Sequence, residues 1–264
     1  MTIPALHVTG VRYAFGEHVA VDGVDLTVHP GEIFGMLGPN GAGKTTTIRM
    51  ITTLLPVRTG MVEVFGRNVR KQTMAVRRLV GYVPQALSAD AALTGRENVA
   101  LFARLFDVPR RQRKDRTAEV LDSMRLTDAA DRAAGTYSGG MLRRLELAQA
   151  LVSNPRLLIL DEPTIGLDPV ARTTVWERIA QVRRDTGMTV LVTTHYMEEA
   201  EQYCDRVALM HQGKVRALGT PAELATSFDA DNLDEVFRQF TGDDVITGGF
   251  RSVRTTRRTA QRLG

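Results

Sequence analysis

IFGMLGPNGAGKTTT, residues 33–47, is the stretch that decides the fold. Its first five residues, Ile33 to Leu37, form a short apolar run of the kind expected for a strand covered on both faces, as in a parallel sheet. Residues 38–45, Gly-Pro-Asn-Gly-Ala-Gly-Lys-Thr, match the pattern G-x-x-x-x-G-K-[ST]. Glycines there let backbone N–H groups curl round an anion, and the helix that follows adds its positive N-terminal end. That helix is expected from Lys44 to Leu55, stopping at Pro56. Lys44 is placed to reach the β and γ phosphates of a nucleoside triphosphate, and the Thr45 hydroxyl to ligate Mg²⁺. The run Thr45-Thr46-Thr47 is poor helix material, so a hydroxyl there has work that outweighs propensity. The expected phosphate-binding set is Gly38, Pro39, Asn40, Gly41, Ala42, Gly43, Lys44, Thr45 and Thr46. A chance loop of this pattern would lack the strand before it and the helix after it.

Working outward, residues 18–28, HVAVDGVDLTV, alternate apolar and polar as a half-buried strand does, and the Pro30-Gly31 turn ends them. Residues 86–155 read as mostly helical. Thr94-Gly95-Arg96-Glu97 fits a capping box, with charged and apolar helices expected at 110–125 and 138–152. Strands return at Leu157–Leu160, Thr189–Thr193 and Val207–Met210, separated by helices at 169–185 and 196–204. This order predicts an α/β fold with a mainly parallel core sheet, helices on its faces, and the 86–155 stretch inserted between two strands. The chain past about 225 carries no clear pattern.

A triphosphate site needs a second element to hold the metal and activate water. Leu157 to Glu162, Leu-Leu-Ile-Leu-Asp-Glu, is an apolar strand running into two acids. Adjacent carboxylates belong at the C-terminal end of such a strand, where ligands collect in open α/β sheets. Asp161 is expected to hold Mg²⁺, directly or through water, and Glu162 to act as general base on the attacking water. The bland alternative is a solvated strand end.

Between these two motifs stands Tyr137-Ser138-Gly139-Gly140-Met141, opening a helix. With it in place, the sequence resembles the ATP-binding subunits of ABC transporters over roughly residues 5–225. The segment is similar to the family signature L-S-G-G-Q, departing from it at Tyr137 and Met141. The resemblance implies a P-loop NTPase cassette with an N-terminal antiparallel β subdomain and an inserted helical subdomain. It implies that Ser138, Gly139 and Gly140 touch the nucleotide of a second copy. Gln85 falls at the glutamine that senses metal and water, Asp168 at the aspartate of the D-loop, and His195 at the switch histidine facing the γ-phosphate. Phe15 falls at the aromatic that stacks on adenine, with Tyr13, on the same strand face, in reserve and core packing as the alternative for both. Glu162, His195 and Gln85 are thus the expected catalytic groups. Thr45, Gln85 and Asp161 are the expected metal-facing ones, and ATP with Mg²⁺ the expected ligands. A head-to-tail homodimer clasping ATP, working with a separate membrane permease, is the implied assembly.

Gly219 to Leu224, Leu233 to Phe237 and Thr241-Gly242 look like stretches of the drug-export ATPases of daunorubicin-resistance type, so export of a hydrophobic drug or lipid-like substrate is expected. The expected division is an ATP-binding domain over 1–225, with the helical subdomain at about 86–155. A C-terminal extension over 226–264 ends in the basic tail 251–264.

Composition excludes several other classes. With 43% hydrophobic and 24% charged residues the chain is ordinary globular protein, neither disordered nor fibrous. One cysteine, Cys204, supports no disulfide framework and reads as a structural residue of the helix Glu198–Cys204. No apolar run is long enough to span a bilayer and the N-terminus lacks a secretory pattern, so an intracellular protein is expected; the family resemblance implies that its permease holds it at the cytoplasmic side of the cell membrane. The net charge of +4 is uneven: residues 251–264 hold five arginines and no acid, leaving 29 basic against 30 acidic residues elsewhere. A nucleic-acid binder carries its charge on the folded surface, so no nucleic-acid partner is expected. The tail reads either as a solvated end or as a contact for anionic lipid. Arg143-Arg144 either helps draw in phosphate or lies on a solvated helix face. Two rival classes lack their marks in this sequence. An ABC-type ATPase of DNA repair or translation would need a long coiled-coil insertion or a second cassette, whereas Gln85 to Ser138 spans only 53 positions. A GTP switch would need an Asn-Lys-x-Asp run, and no Asn-Lys dipeptide exists.

Overall fold

The computed structural model describes residues 2–241. β1 (Leu6–Phe15) and β2 (His18–Val28) pair antiparallel, and β3 (Ile33–Leu37) is buried at every position. α1 (Lys44–Ile51) follows the glycine-rich turn. It ends four residues short of the expected Leu55 because Thr53 turns to φ 64° and the Thr52 hydroxyl donates to the Ile48 carbonyl, closing the last turn. β4 (Thr59–Val64), β5 (Arg67–Asn68), α2 (Thr73–Arg77) and β6 (Val80–Val83) come next. Then come α3 (Gly95–Leu105), α4 (Arg113–Ser123) and α5 (Gly139–Leu151). The Thr94 capping box is present, with the Thr94 hydroxyl accepting from the Glu97 amide and the Glu97 carboxylate accepting from the Thr94 amide. Strand and helix then alternate through β7 (Leu157–Asp161), α6 (Pro169–Thr186), β8 (Thr189–Thr194), α7 (Met197–Tyr203), β9 (Arg206–His211) and β10 (Lys214–Gly219). α8 (Pro221–Ser227) and α9 (Leu233–Thr241) close the described chain.

The core sheet has the order β10-β9-β3-β8-β7-β6, parallel throughout except for the antiparallel β9–β10 edge. A second, antiparallel sheet has the order β2-β1-β4-β5. β6 and β7 are neighbours in the core sheet, so α3, α4 and α5 are an insertion between adjacent strands. The mainly parallel sheet, the N-terminal antiparallel sheet and the helical insertion expected from the sequence are all present.

Alternation along the parallel strands sends side chains into two cores. Ile33, Leu158, Leu160, Val190 and Val192 face the helical insertion, α6 and α7. Phe34, Met36, Leu157, Ile159 and Leu191 face α1 and the antiparallel sheet. Burying each such side chain contributes about 1.5–3 kcal/mol, which is why strand interiors tolerate no polar residue until the chain reaches the sheet's C-terminal edge.

The packing runs across the position expected to divide the chain. Position 225 lies inside α8, and Leu233 and Val236 of α9 are fully buried in the same core as the insertion and α6. The packed body therefore continues to Thr241. The basic tail 251–264 lies outside the described residues. Cys204, placed by the sequence in a helix, sits at the residue that ends α7; it is a buried free thiol, and burial pushes its pKa well up.

Candidate functional site

The turn between β3 and α1 is closed by glycines no other residue could replace. Gly38 lies at φ 154° and Gly43 at φ 102°; a Cβ on Gly38 would stand 2.2 Å from the Met210 carbonyl oxygen, and one on Gly43 2.6 Å from that of Ala20. Gly43 begins α1 without a side-chain cap, and no acid stands in the first turn. The first N–H groups of the helix are therefore free to meet an anion. Lys44 is 4% exposed; its Nζ donates to the carbonyls of Gly38 (2.7 Å) and Pro39 (3.2 Å). It also stands 3.2 Å from Glu162 Oε1.

Two carboxylates wait opposite, at the C-terminal end of β7. Asp161 Oδ1 accepts from the Thr193 hydroxyl (2.6 Å) and from the Thr45 hydroxyl (3.2 Å). Glu162 leaves the strand at φ 50°, held there by its amide donating to the carbonyl (3.1 Å) and hydroxyl (3.0 Å) of Thr193. Its side chain is thereby turned towards α1 and the end of β8. Oε2 lies 3.2 Å from His195 Nδ1 and 3.5 Å from Gln85 Nε2. Burial pushes the Glu162 carboxyl up, but the hydrogen bond from His195 and the charge of Lys44 more than offset it, so its pKa lies below the ordinary glutamate value.

Lys44, Thr45, Asp161, Glu162, His195 and Gln85, spread over 152 residues of sequence, thus meet in one place. The Thr45 and Asp161 oxygens, 3.2 Å apart, suit Mg²⁺, a hard cation that takes oxygen ligands and fills its remaining positions with water and phosphate. Gln85 directs its amide nitrogen at Glu162 rather than at that oxygen pair. Among the described residues no hydrogen bond joins Ser138, Gly139, Gly140, Asp168 or Phe15 to this cluster. Ser138 is the N-cap of α5, accepting from the Met141 amide, and it and Gly139 are exposed. Asp168 is the N-cap of α6, accepting from the amides of Val170 and Ala171. Phe15 is 49% exposed at the end of β1, its ring edge-on to Tyr13 at 5.0 Å. Tyr137, the departure from leucine, is buried in the helical insertion with its hydroxyl donating to the Ala129 carbonyl.

Three features escaped sequence reading. Thr193 binds both carboxylate residues, and only its place at the end of an apolar strand hinted at it. Glu199 is 5% exposed and accepts from the hydroxyls of Thr164 and Thr194, tying the chain after Glu162 to that before His195. Arg143 is neither solvated nor turned to phosphate. It is 2% exposed, pairs with Glu146 (2.9 Å), and donates to the carbonyls of Pro84 (2.8 Å) and Gln85 (3.0 Å). Burial pushes the Arg143 pKa down and that of Glu146 up, and the contact between the two opposes both shifts.

The family model described as ABC transporter matches residues 21–165. The daunorubicin/doxorubicin resistance ATP-binding protein DrrA of Streptomyces peucetius is 45% identical over 87% of this chain and 69% of its own length. The Nod factor export ATP-binding protein I of Rhizobium sp. (strain N33) is 41% identical over 90% of this chain and 78% of its own. Among solved structures, cbiO1 from Clostridium perfringens, part of the ABC transporter complex cbiONQ, superposes with a TM-score of 0.78 at 27% identity, covering 90% of this chain and 94% of that one.

Proposed function

This chain belongs to the ABC transporter family as an ATP-binding, ATP-hydrolysing subunit, and from that premise we propose that it powers export of a hydrophobic drug or antibiotic through a separate membrane permease. The observation that carries the hydrolytic reading is the convergence of Lys44, His195 and Gln85 on the buried Glu162 carboxylate, beside the Thr45–Asp161 oxygen pair. The cargo reading is supported by the resistance relative of Streptomyces peucetius. The Nod factor relative supports a lipid-like cargo as the second reading.

In the arrangement seen, Lys44 lies against Glu162. The polyphosphate of ATP, entering the glycine turn, competes for that ammonium and for the free N–H groups of α1. Lys44 moves from the carbonyls of Gly38 and Pro39 to the β and γ phosphates, and Glu162 is released as an ionised base. Water then attacks the γ-phosphorus, the bond to the β-phosphate oxygen breaks, and Glu162 takes the proton of the attacking water. Mg²⁺ held by Thr45 and Asp161 would neutralise charge on the phosphate oxygens. His195 Nδ1 orients Glu162 from the far side, and Gln85 faces the same carboxylate. Phe15 offers its exposed ring to adenine.

The exposed N-cap of α5, apart from the cluster, supports a second copy as its counterpart: Ser138, Gly139, Gly140 and Asp168 of one molecule complete the nucleotide site of the other. No helix among the described residues is long and apolar enough to cross a bilayer; in this reading attachment on the cytoplasmic side runs through the permease, with the basic tail 251–264 as a further contact for anionic lipid. Replacing Glu162 by Gln tests the core of this reading. Hydrolysis should fall by about 10²–10⁴-fold with ATP affinity retained; phosphate release at the native rate would exclude Glu162 as base.

A further inference from the structure

We propose that the buried Arg143–Glu146 pair on α5 is a positioning device that ties the loop carrying Gln85 to the helix that begins at Ser138. Its two ends grip the same loop from both sides. Arg143 Nη1 donates to the Pro84 carbonyl and Nη2 to that of Gln85, 2.8 and 3.0 Å away. Glu146 Oε1 accepts from the Ser88 amide and hydroxyl, the latter at 3.1 Å. The pair itself is closed by Arg143 Nη1 and Glu146 Oε2 at 2.9 Å, with both side chains at most 3% exposed. Three loop positions, 84, 85 and 88, are thus held through backbone groups, with the Ser88 hydroxyl as the one side-chain contact.

A guanidinium suits this work because its planar fork spans two carbonyls and a carboxylate at once, which a lysine ammonium on a flexible stem does not. An ion pair so deeply buried is a poor source of stability compared with apolar residues of the same volume. Its geometry has a clearer use. Gln85 faces Glu162, while Ser138 stands at the start of the helix that bears Arg143 five residues further on. A displacement of the loop therefore displaces α5 and its exposed N-terminus, and the reverse. The pair acts through Gln85 and the backbone; it touches neither nucleotide nor water.

This assignment rests on the proposed roles of Gln85 and Ser138, and its test separates the two. In the full-length chain, Arg143→Met with Glu146→Leu keeps the volume and removes the grip. Hydrogen exchange followed by mass spectrometry should show the amide of Ser88 exchanging at least tenfold faster, with α6 and β8 unchanged. Steady-state hydrolysis of Mg-ATP should show kcat down tenfold or more with KM within threefold of native. Arg143→Lys, which keeps the charge beside Glu146 and hence the fold, should give intermediate loosening of the loop and an intermediate kcat. Native exchange at Ser88 in whichever of the two variants folds overturns the proposal, and so does native kcat there when Gln85→Ala itself slows hydrolysis. Gln85→Ala is measured alongside: if it hydrolyses ATP at the native rate while loop exchange in the pair variants still rises, the role given to Gln85 fails and the tether stands.

Discussion

Glu162 occupies a left-handed backbone conformation that costs a non-glycine residue roughly 1–3 kcal/mol, and such strain persists only where the surroundings over-determine it. Here Thr193 does so, through two hydrogen bonds to the Glu162 amide and one to Asp161. The turn gives two adjacent residues of one strand end different duties, Asp161 towards Thr45 and Glu162 towards Lys44 and His195. Because the Glu162 pKa lies below the ordinary value of 4.5, its ionised form contributes stability above the unfolded value, lost as pH falls through the lower, folded one. The acid limb of kcat/KM assigned to Glu162 should accordingly fall below 4.5; a pH–rate profile in which Glu162→Gln abolishes a limb at higher pH would contradict the ionised base. Lys44→Ala should weaken ATP binding about 10–100-fold by calorimetry, the worth of a charged hydrogen bond of roughly 1.5–3 kcal/mol. Affinity unchanged in that variant would remove the lysine from the phosphate grip.

At the scale of elements, helix ends carry much of the design. α1 is left uncapped where an anion belongs, whereas α3 and α8, with no such task, satisfy their first amides with Thr94 and Thr220. Thr94→Ala should cost about 1 kcal/mol in urea unfolding, with ATP affinity untouched because the cap lies in the insertion. A loss of nucleotide binding in that variant would mean the insertion is coupled to the phosphate turn more tightly than the contacts described here allow. The capping box was legible in the sequence, because its two residues are neighbours. The early end of α1 was not: Thr53 takes its positive φ from how the chain must turn towards β4, a demand that local propensity does not express.

For the whole molecule, the decisive question is what closes over the phosphate turn. The α5 N-terminus is exposed and, among the described residues, makes no hydrogen bond to the turn of its own chain; in the assembly proposed above, a second copy brings the two together. Glu162→Gln with ATP should run as a dimer in light scattering at a concentration where the native chain, turning ATP over, runs as a monomer. Persistence of the monomer in that variant under saturating ATP would remove the head-to-tail assembly. The packed body also extends beyond the cassette boundary read from sequence. Leu233→Ala should destabilise the fold by about 2–5 kcal/mol, the cost of emptying a core position; a change under about 0.5 kcal/mol would mean that α9 is an appendage.

Sequence by itself determined the parts whose chemistry is written in consecutive residues: the glycine turn between a buried strand and a helix, the paired acids closing an apolar strand, the capping box, and the order of strands and helices that makes the sheet parallel. These are local because backbone sterics and side-chain reach act over a few residues. Tertiary structure alone decided which oxygen of Glu162 meets Lys44 and which meets His195 and Gln85, that Thr193 holds both carboxylate residues, that Arg143 is buried under the Gln85 loop, and that α9 joins the core. Each of those facts pairs residues far apart along the chain, and one-dimensional spacing holds no record of a contact made only when the sheet brings its strand ends together.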